Sequence, residues 1–247
     1  MYTNRNIATL LGGLFLTAAI AAIAARVLYS PILNNPEYIL SSGSHVRILW
    51  GAVLEIITAF AIIGTSVTLY PVLKEYNERM ALGAVCFRVA EALVIIVGIL
   101  CLLTITTLNG ESGQASHPDS PTYVIIGKML VAFHNWTFLY GPNVLLGPST
   151  LMTAYILHKA GLVPRFVSIA GLIGGPVIFF CGVTVTLGLF DQLSVWGALM
   201  AIPVFVYEMS LAIWLIVKGF KQIKVQPAPP QNLFRLAGGL TTENSVF

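Results

Sequence analysis

The chain has 247 residues, of which 57% are hydrophobic and 9% charged, and its mean hydropathy is +0.85. A soluble domain carries about 25% charged residues, so the composition excludes a soluble globular fold and points to an all-α, polytopic membrane bundle. The formal net charge of +3 rests on basic residues spread along short loops, which excludes a nucleic-acid surface and makes the lipid bilayer the first partner.

The three cysteines, Cys86, Cys101 and Cys181, lie within apolar runs, and no Cys-x-x-Cys spacing links them. They read as small buried apolar side chains, with no disulfide framework or thiolate metal site.

The first apolar run is Ile7 to Leu28. Ala22-Ile23-Ala24 looks like a signal cleavage site, but the run exceeds the ~7–15 residues of a signal core, so it is read as an uncleaved helix. Ala8, Gly12, Ala19 and Ala22 fall near one face and suit close helix packing. A loop is expected from Tyr29 to His45, punctuated by Pro31 and Pro36. The second helix is expected from Arg47 to Tyr70, closed by Pro71, with a charged loop to Arg79. The third runs from Met80 to Leu108, followed by a polar loop, Asn109 to Pro121, that has no Lys or Arg.

The fourth segment, Thr122 to His158, would reach ~55 Å as one helix, against a hydrocarbon core of ~30 Å. Its Gly141-Pro142 and Gly147-Pro148 steps predict one long, kinked helix that starts before the membrane. Two short half-spans are the alternative. The fifth helix is expected over Phe166 to Leu189 and the sixth over Leu193 to Phe220. These make a bundle of six transmembrane helices over residues 1–220. Residues 221–247 read as a disordered cytoplasmic tail, rich in polar residues and proline.

The Lys and Arg distribution orients the bundle. Arg5, Lys74, Arg79, Lys159, Arg165, Lys218, Lys221, Lys224 and Arg235 fall on one side. The positive-inside rule makes that side the cytoplasm and places both termini there.

Several pieces of the sequence fall into a familiar order. Tyr70-Pro71-Val72-Leu73-Lys74 is followed by Phe87-Arg88-x-x-Glu91, then Leu162-Val163-Pro164-Arg165, Gly171-Leu172-Ile173-Gly174, and Trp214-Leu215-Ile216-Val217-Lys218-Gly219-Phe220. Together they resemble the bacterial membrane family called domain of unknown function 4386. The resemblance implies an integral protein of the bacterial cytoplasmic membrane. It implies no activity, and it brings no catalytic residues and no cofactor.

Four ionisable residues sit well inside apolar helices: Glu55, Arg88, Glu91 and Glu208. Such groups are costly in a bilayer and face the bundle interior. Arg88 and Glu91, three residues apart, share a helix face. Arg88 lies ~12 Å from the cytoplasmic start of its helix and Glu208 ~15 Å from the cytoplasmic end of the last one. The matching depths predict that Arg88 contacts both Glu91 and Glu208. This trio either locks helices together or forms part of a proton or substrate relay. Glu55 is nearer the outer surface and lacks a cation in this scheme. His134 falls near the same depth, where a Glu55–His134 pair could hold a metal, a proton or a polar head group, or His134 could be an interfacial histidine beside Trp136 and Tyr140.

Three functions follow in order of preference. The first is a non-catalytic bundle that binds a lipid-like ligand, a small molecule or a partner protein. The second is a small proton-coupled transporter using the buried carboxylates. The third is an intramembrane lipid-modifying enzyme, ranked last because no nucleophile–base pair or metal-ligand motif is present.

Overall fold

The computed structural model describes residues 3–35, 38, 45–112 and 120–221. Its long regular elements are all helices, in the order α1 (Thr3–Asn34), α2 (Val46–Ser112), α3 (Ser120–Leu139), a π-helical turn (Tyr140–Leu145), α4 (Leu146–Ala160), α5 (Arg165–Thr186) and α6 (Val195–Val217). Helices satisfy their backbone hydrogen bonds internally, which is what so apolar a chain needs where water is scarce. Among the described residues, four stretches are long and apolar enough to cross a membrane: Arg5–Asn34, Val46–Leu108, Arg165–Thr186 and Val195–Val217.

The helices differ from the six expected. The second and third expected helices are one continuous element, α2, of 67 residues. The anticipated loop between them is reduced to one residue, Asn77, whose backbone is extended (φ −159°, ψ 97°). Pro71 does not end the helix. It is exposed, so the hydrogen bond that proline removes is lost at the surface and not in the core. The expected kinked fourth helix is two α-helices, α3 and α4, joined by the π-helical turn, which holds the Gly141-Pro142 step. The expected loop from Tyr29 also starts later, because α1 continues through Pro31 to Asn34. α5 stops at Thr186 and α6 at Val217, both short of the expected ends. Cys181 is buried, but Cys86 is exposed, against the reading of all three cysteines as interior. The expected disordered tail lies outside the described residues.

Asn77 turns the chain back on itself. Its side-chain Oδ1 accepts from the Met80 backbone N–H at 3.1 Å, the geometry of a helix N-cap. The two arms of α2 then pack against each other, with Ala52, Ala59 and Ile62 of the first against Ala92, Ile95 and Ile99 of the second.

The first turn of α1 meets the last turn of α6, where the Arg5 guanidinium donates to the Val217 carbonyl (3.2 Å). The Lys221 backbone N–H donates to the Leu162 carbonyl in the α4–α5 connection (2.8 Å). Both ends of the described helical bundle therefore lie together, and this is called the terminal end below. Here Leu11 and Phe15 of α1, Leu73 of α2, Leu157 of α4, Val167 of α5 and Leu211 of α6 form the largest core. Gly12 permits the close approach of α1 and α6, because a Cβ there would stand 2.6 Å from the Ala212 carbonyl oxygen.

At the far end α1 and α6 part. Ala25, Tyr29 and Ile32 of α1 join Ile48, Leu102 and Ile105 of α2. Val204 of α6 instead joins Leu146, Ile178 and Cys181. This divergence positions the site.

Candidate functional site

Five residues singled out in the sequence, Glu55, Arg88, Glu91, His134 and Glu208, line one cavity of about 150 Å3. They come from α2, α3 and α6, and only the tertiary fold brings them together.

At the terminal side of the cavity Arg88 reaches both expected partners. Its Nη1 donates to Glu91 Oε2 at 3.2 Å, and its Nη2 donates to Glu208 Oε1 at 2.5 Å. The planar guanidinium fork suits two carboxylates at once. Arg88 and Glu91 are buried, at 8% and 2% exposed, whereas Glu208 is partly exposed. The guanidinium also sits over the Phe15 ring, 5.9 Å from its centroid. Three helices, α1, α2 and α6, converge on this one cation.

The far side of the cavity is built differently. Arg26 and Tyr29 of α1 line it beside Glu55 and His134. The His134 ring stands edge-on to Tyr29, with centroids 5.6 Å apart. His134 Nδ1 lies 3.2 Å from the Gly98 carbonyl oxygen, and the Thr137 hydroxyl donates to the His134 carbonyl. Arg26 lies over the Phe138 ring at 4.8 Å and is the cationic neighbour of Glu55, and the Tyr29 hydroxyl is beside that carboxylate. The Tyr29 hydroxyl and the Glu55 carboxylate stand close to each other, outside hydrogen-bond geometry. Among the described residues, Arg26 Nη1, Tyr29 Oη, Glu55 Oε2 and His134 Nε2 are all buried without a hydrogen-bond partner. Buried polar atoms are ordinarily satisfied, so four such atoms around one cavity mark it out from the rest of the bundle.

His134 is buried among the helices, at 2% exposed. Trp136 and Tyr140 on the same segment are the exposed ones. The expected Glu55–His134 neighbourhood is present as two walls of the cavity. Among the described residues no group of three His, Cys, Asp or Glu side chains could hold a metal ion.

Two further voids adjoin the cavity. A vestibule of about 630 Å3 shares Arg26 and Phe138 with it and is bordered by Leu33, Leu139, Leu189 and Leu193. A small void of about 20 Å3 shares Phe15, Thr65 and Arg88 with it and is lined by the hydroxyls of Ser66, Thr150 and Tyr207. Thr150 Oγ1 and Tyr207 Oη are again buried without partners.

The π-helical turn reaches the central cavity through Pro142. Pro142 has no N–H to offer the Phe138 carbonyl four residues back. The Gln192 side-chain amide, from the α5–α6 connection, donates to that carbonyl at 3.2 Å. Gln192 lies within hydrogen-bonding distance of Asn143 Oδ1 as well, at 3.4 Å.

Arg26 and Tyr29 were not legible as site residues. Ending the first helix before Tyr29 made Arg26 a loop-flanking charge and Tyr29 a loop residue. Extending the helix through Pro31 puts them three residues apart on one face, which was the available signal. Tyr207, one position before Glu208, was missed because an apolar run around it offers no contrast.

These features define the class as an all-helical membrane protein with a buried polar cavity. The chain belongs to the family described as "Domain of unknown function (DUF4386)", whose model matches residues 10–219. No curated protein and no solved structure matches the chain.

Proposed function

We propose that this protein is a multi-pass protein of the bacterial cytoplasmic membrane that binds a lipid-like ligand in its central cavity. The observation that carries this reading is the set of four unpartnered polar atoms around a cavity whose other walls are apolar apart from three threonines and the Arg88–Glu91–Glu208 cluster. Ligand sites combine that apolar lining with a few convergent polar groups. The bundle crosses the membrane six times, by α1, each arm of α2, the joined α3–α4, α5 and α6. The supporting facts are the fold-back at Asn77 and the length of α2, ~100 Å at the helical rise against a core of ~30 Å. Arg5, Lys74, Arg79, Lys159, Arg165 and Lys218 belong to the terminal end, which puts both termini in the cytoplasm.

The test is extraction of tightly held lipid from protein purified in native-membrane discs, analysed by mass spectrometry. One species should be enriched over the surrounding bilayer, and Ala22→Phe, which fills the cavity wall, should remove the enrichment. An extract with bulk composition in both proteins would sink the reading.

A second reading, proton-coupled transport, is favoured by one observation. The cavity and the hydroxyl-lined void meet at Arg88 and Thr65, so polar groups run from Glu55 towards the terminal end. Proton uptake by liposomes, lost in Glu55→Gln, would support it, and wild-type liposomes as tight as empty ones would remove it.

A further inference from the structure

The unpartnered atoms of the cavity carry a directional pattern that selects among ligand head groups. The Gly98 carbonyl can only accept, so in the neutral His134 ring Nδ1 carries the proton and donates to it. Nε2 is then an acceptor. Glu55 Oε2 is a second acceptor, Arg26 Nη1 is a donor, and the Tyr29 hydroxyl serves as either. A head group that satisfies this set brings both a donor and an acceptor.

Charge narrows the choice. The cavity holds Arg26 and Arg88 against Glu55, Glu91 and Glu208, a formal excess of one negative charge. A carboxylate or phosphate head offers only acceptors, leaves His134 Nε2 unmet and adds to that excess. An ammonium head offers only donors, leaves Arg26 Nη1 unmet and places a second cation beside it. A hydroxyl serves both roles and carries no charge.

Size and walls narrow it again. A cavity of roughly 150 Å3 accepts a benzene ring, and this one is about 150 Å3 with Phe15, Tyr29 and Phe138 in its lining. The adjoining vestibule has mixed walls, with Asn34, Asn135, Asp191 and Gln192 beside Leu33, Leu139, Leu189 and Leu193, and a chain leaving past Arg26 and Phe138 follows the leucine side.

We infer that the cavity takes a neutral amphiphile whose head is a hydroxyl-bearing aromatic ring, a phenol or hydroquinone. The ring lies among Tyr29, Glu55 and His134, and its alkyl tail lies in the vestibule. This assignment rests on the ligand-binding reading and names the ligand's chemistry.

The test uses the full chain in lipid discs with three probes whose alkyl tails have nine or ten carbons: 4-decylphenol, decanoate and decylammonium. Native mass spectrometry counts bound probe, and the saturable rise in Tm reports affinity. The phenol should bind at least tenfold more tightly than either ion. Tyr29→Phe keeps the ring against His134 and removes one hydroxyl, so it should weaken phenol binding about five- to tenfold, the loss of one hydrogen bond. Preference for decanoate or decylammonium overturns the assignment and leaves the ligand-binding reading standing. Phenol binding unchanged in both Tyr29→Phe and Glu55→Gln places the phenol elsewhere and also overturns it. Absence of binding by all three probes overturns the assignment, and a lipid extract of bulk composition then decides the fate of the broader reading separately.

Discussion

Arg88 and Glu208, 120 positions apart in the chain, meet at 2.5 Å and tie α2 to α6. Glu91 completes the cluster from one helical turn beyond Arg88. Replacing Arg88 by Leu leaves two carboxylates without their cation. Breaking one side of a buried pair costs about 3–5 kcal/mol in soluble proteins, and less in a membrane, where carboxyls take up protons or draw in water. Arg88→Leu should therefore lower Tm in detergent, and adding Glu91→Gln with Glu208→Gln should recover part of the loss. A wild-type Tm in Arg88→Leu would show that the cluster contributes nothing to stability.

Asn77 should matter more than its exposed position suggests. Its side chain caps the second arm of α2 through the Met80 N–H, so Asn77→Ala should cost about 0.5–2 kcal/mol. Asn77→Asp, which keeps the accepting oxygen, should stay close to wild type. Thermal unfolding of the two variants separates a cap from a residue that only happens to lie at the bend.

Gln192 anchors the π-helical turn from the α5–α6 connection. Gln192→Leu removes its hydrogen bond to the Phe138 carbonyl, a loss of about 0.5–1.5 kcal/mol. Amide exchange should quicken across residues 138–145 and remain unchanged around Asn77. Faster exchange spread over the whole bundle would show that Gln192 has no such local role.

Topology is open to a direct check. Reporter fusions after Asn109 and after Lys221 should report opposite sides of the membrane, given the fold-back of α2 and the meeting of Arg5 with Val217. The same side for both would end the six-crossing proposal.

The sequence by itself determined the all-helical class, because a chain this apolar must satisfy its backbone within each segment. It also made Arg88, Glu91 and Glu208 legible as a group, since a three-residue spacing and matched depths are properties of a straight helix. The tertiary structure decided the rest. Pro31 and Pro71 read as helix ends by local chemistry, but packing carries both helices past them, because one lost hydrogen bond is outweighed by the apolar faces that continue on either side. That choice set where the polar far end lies. Tyr29 and Arg26 became cavity walls only because α1 stays helical beyond Leu28 and leans towards Ile48 and Leu102 while α6 leans towards α5. Their partnership with Glu55 and His134 depends on how three helices diverge, and helix divergence is set by long-range packing, which no local spacing encodes.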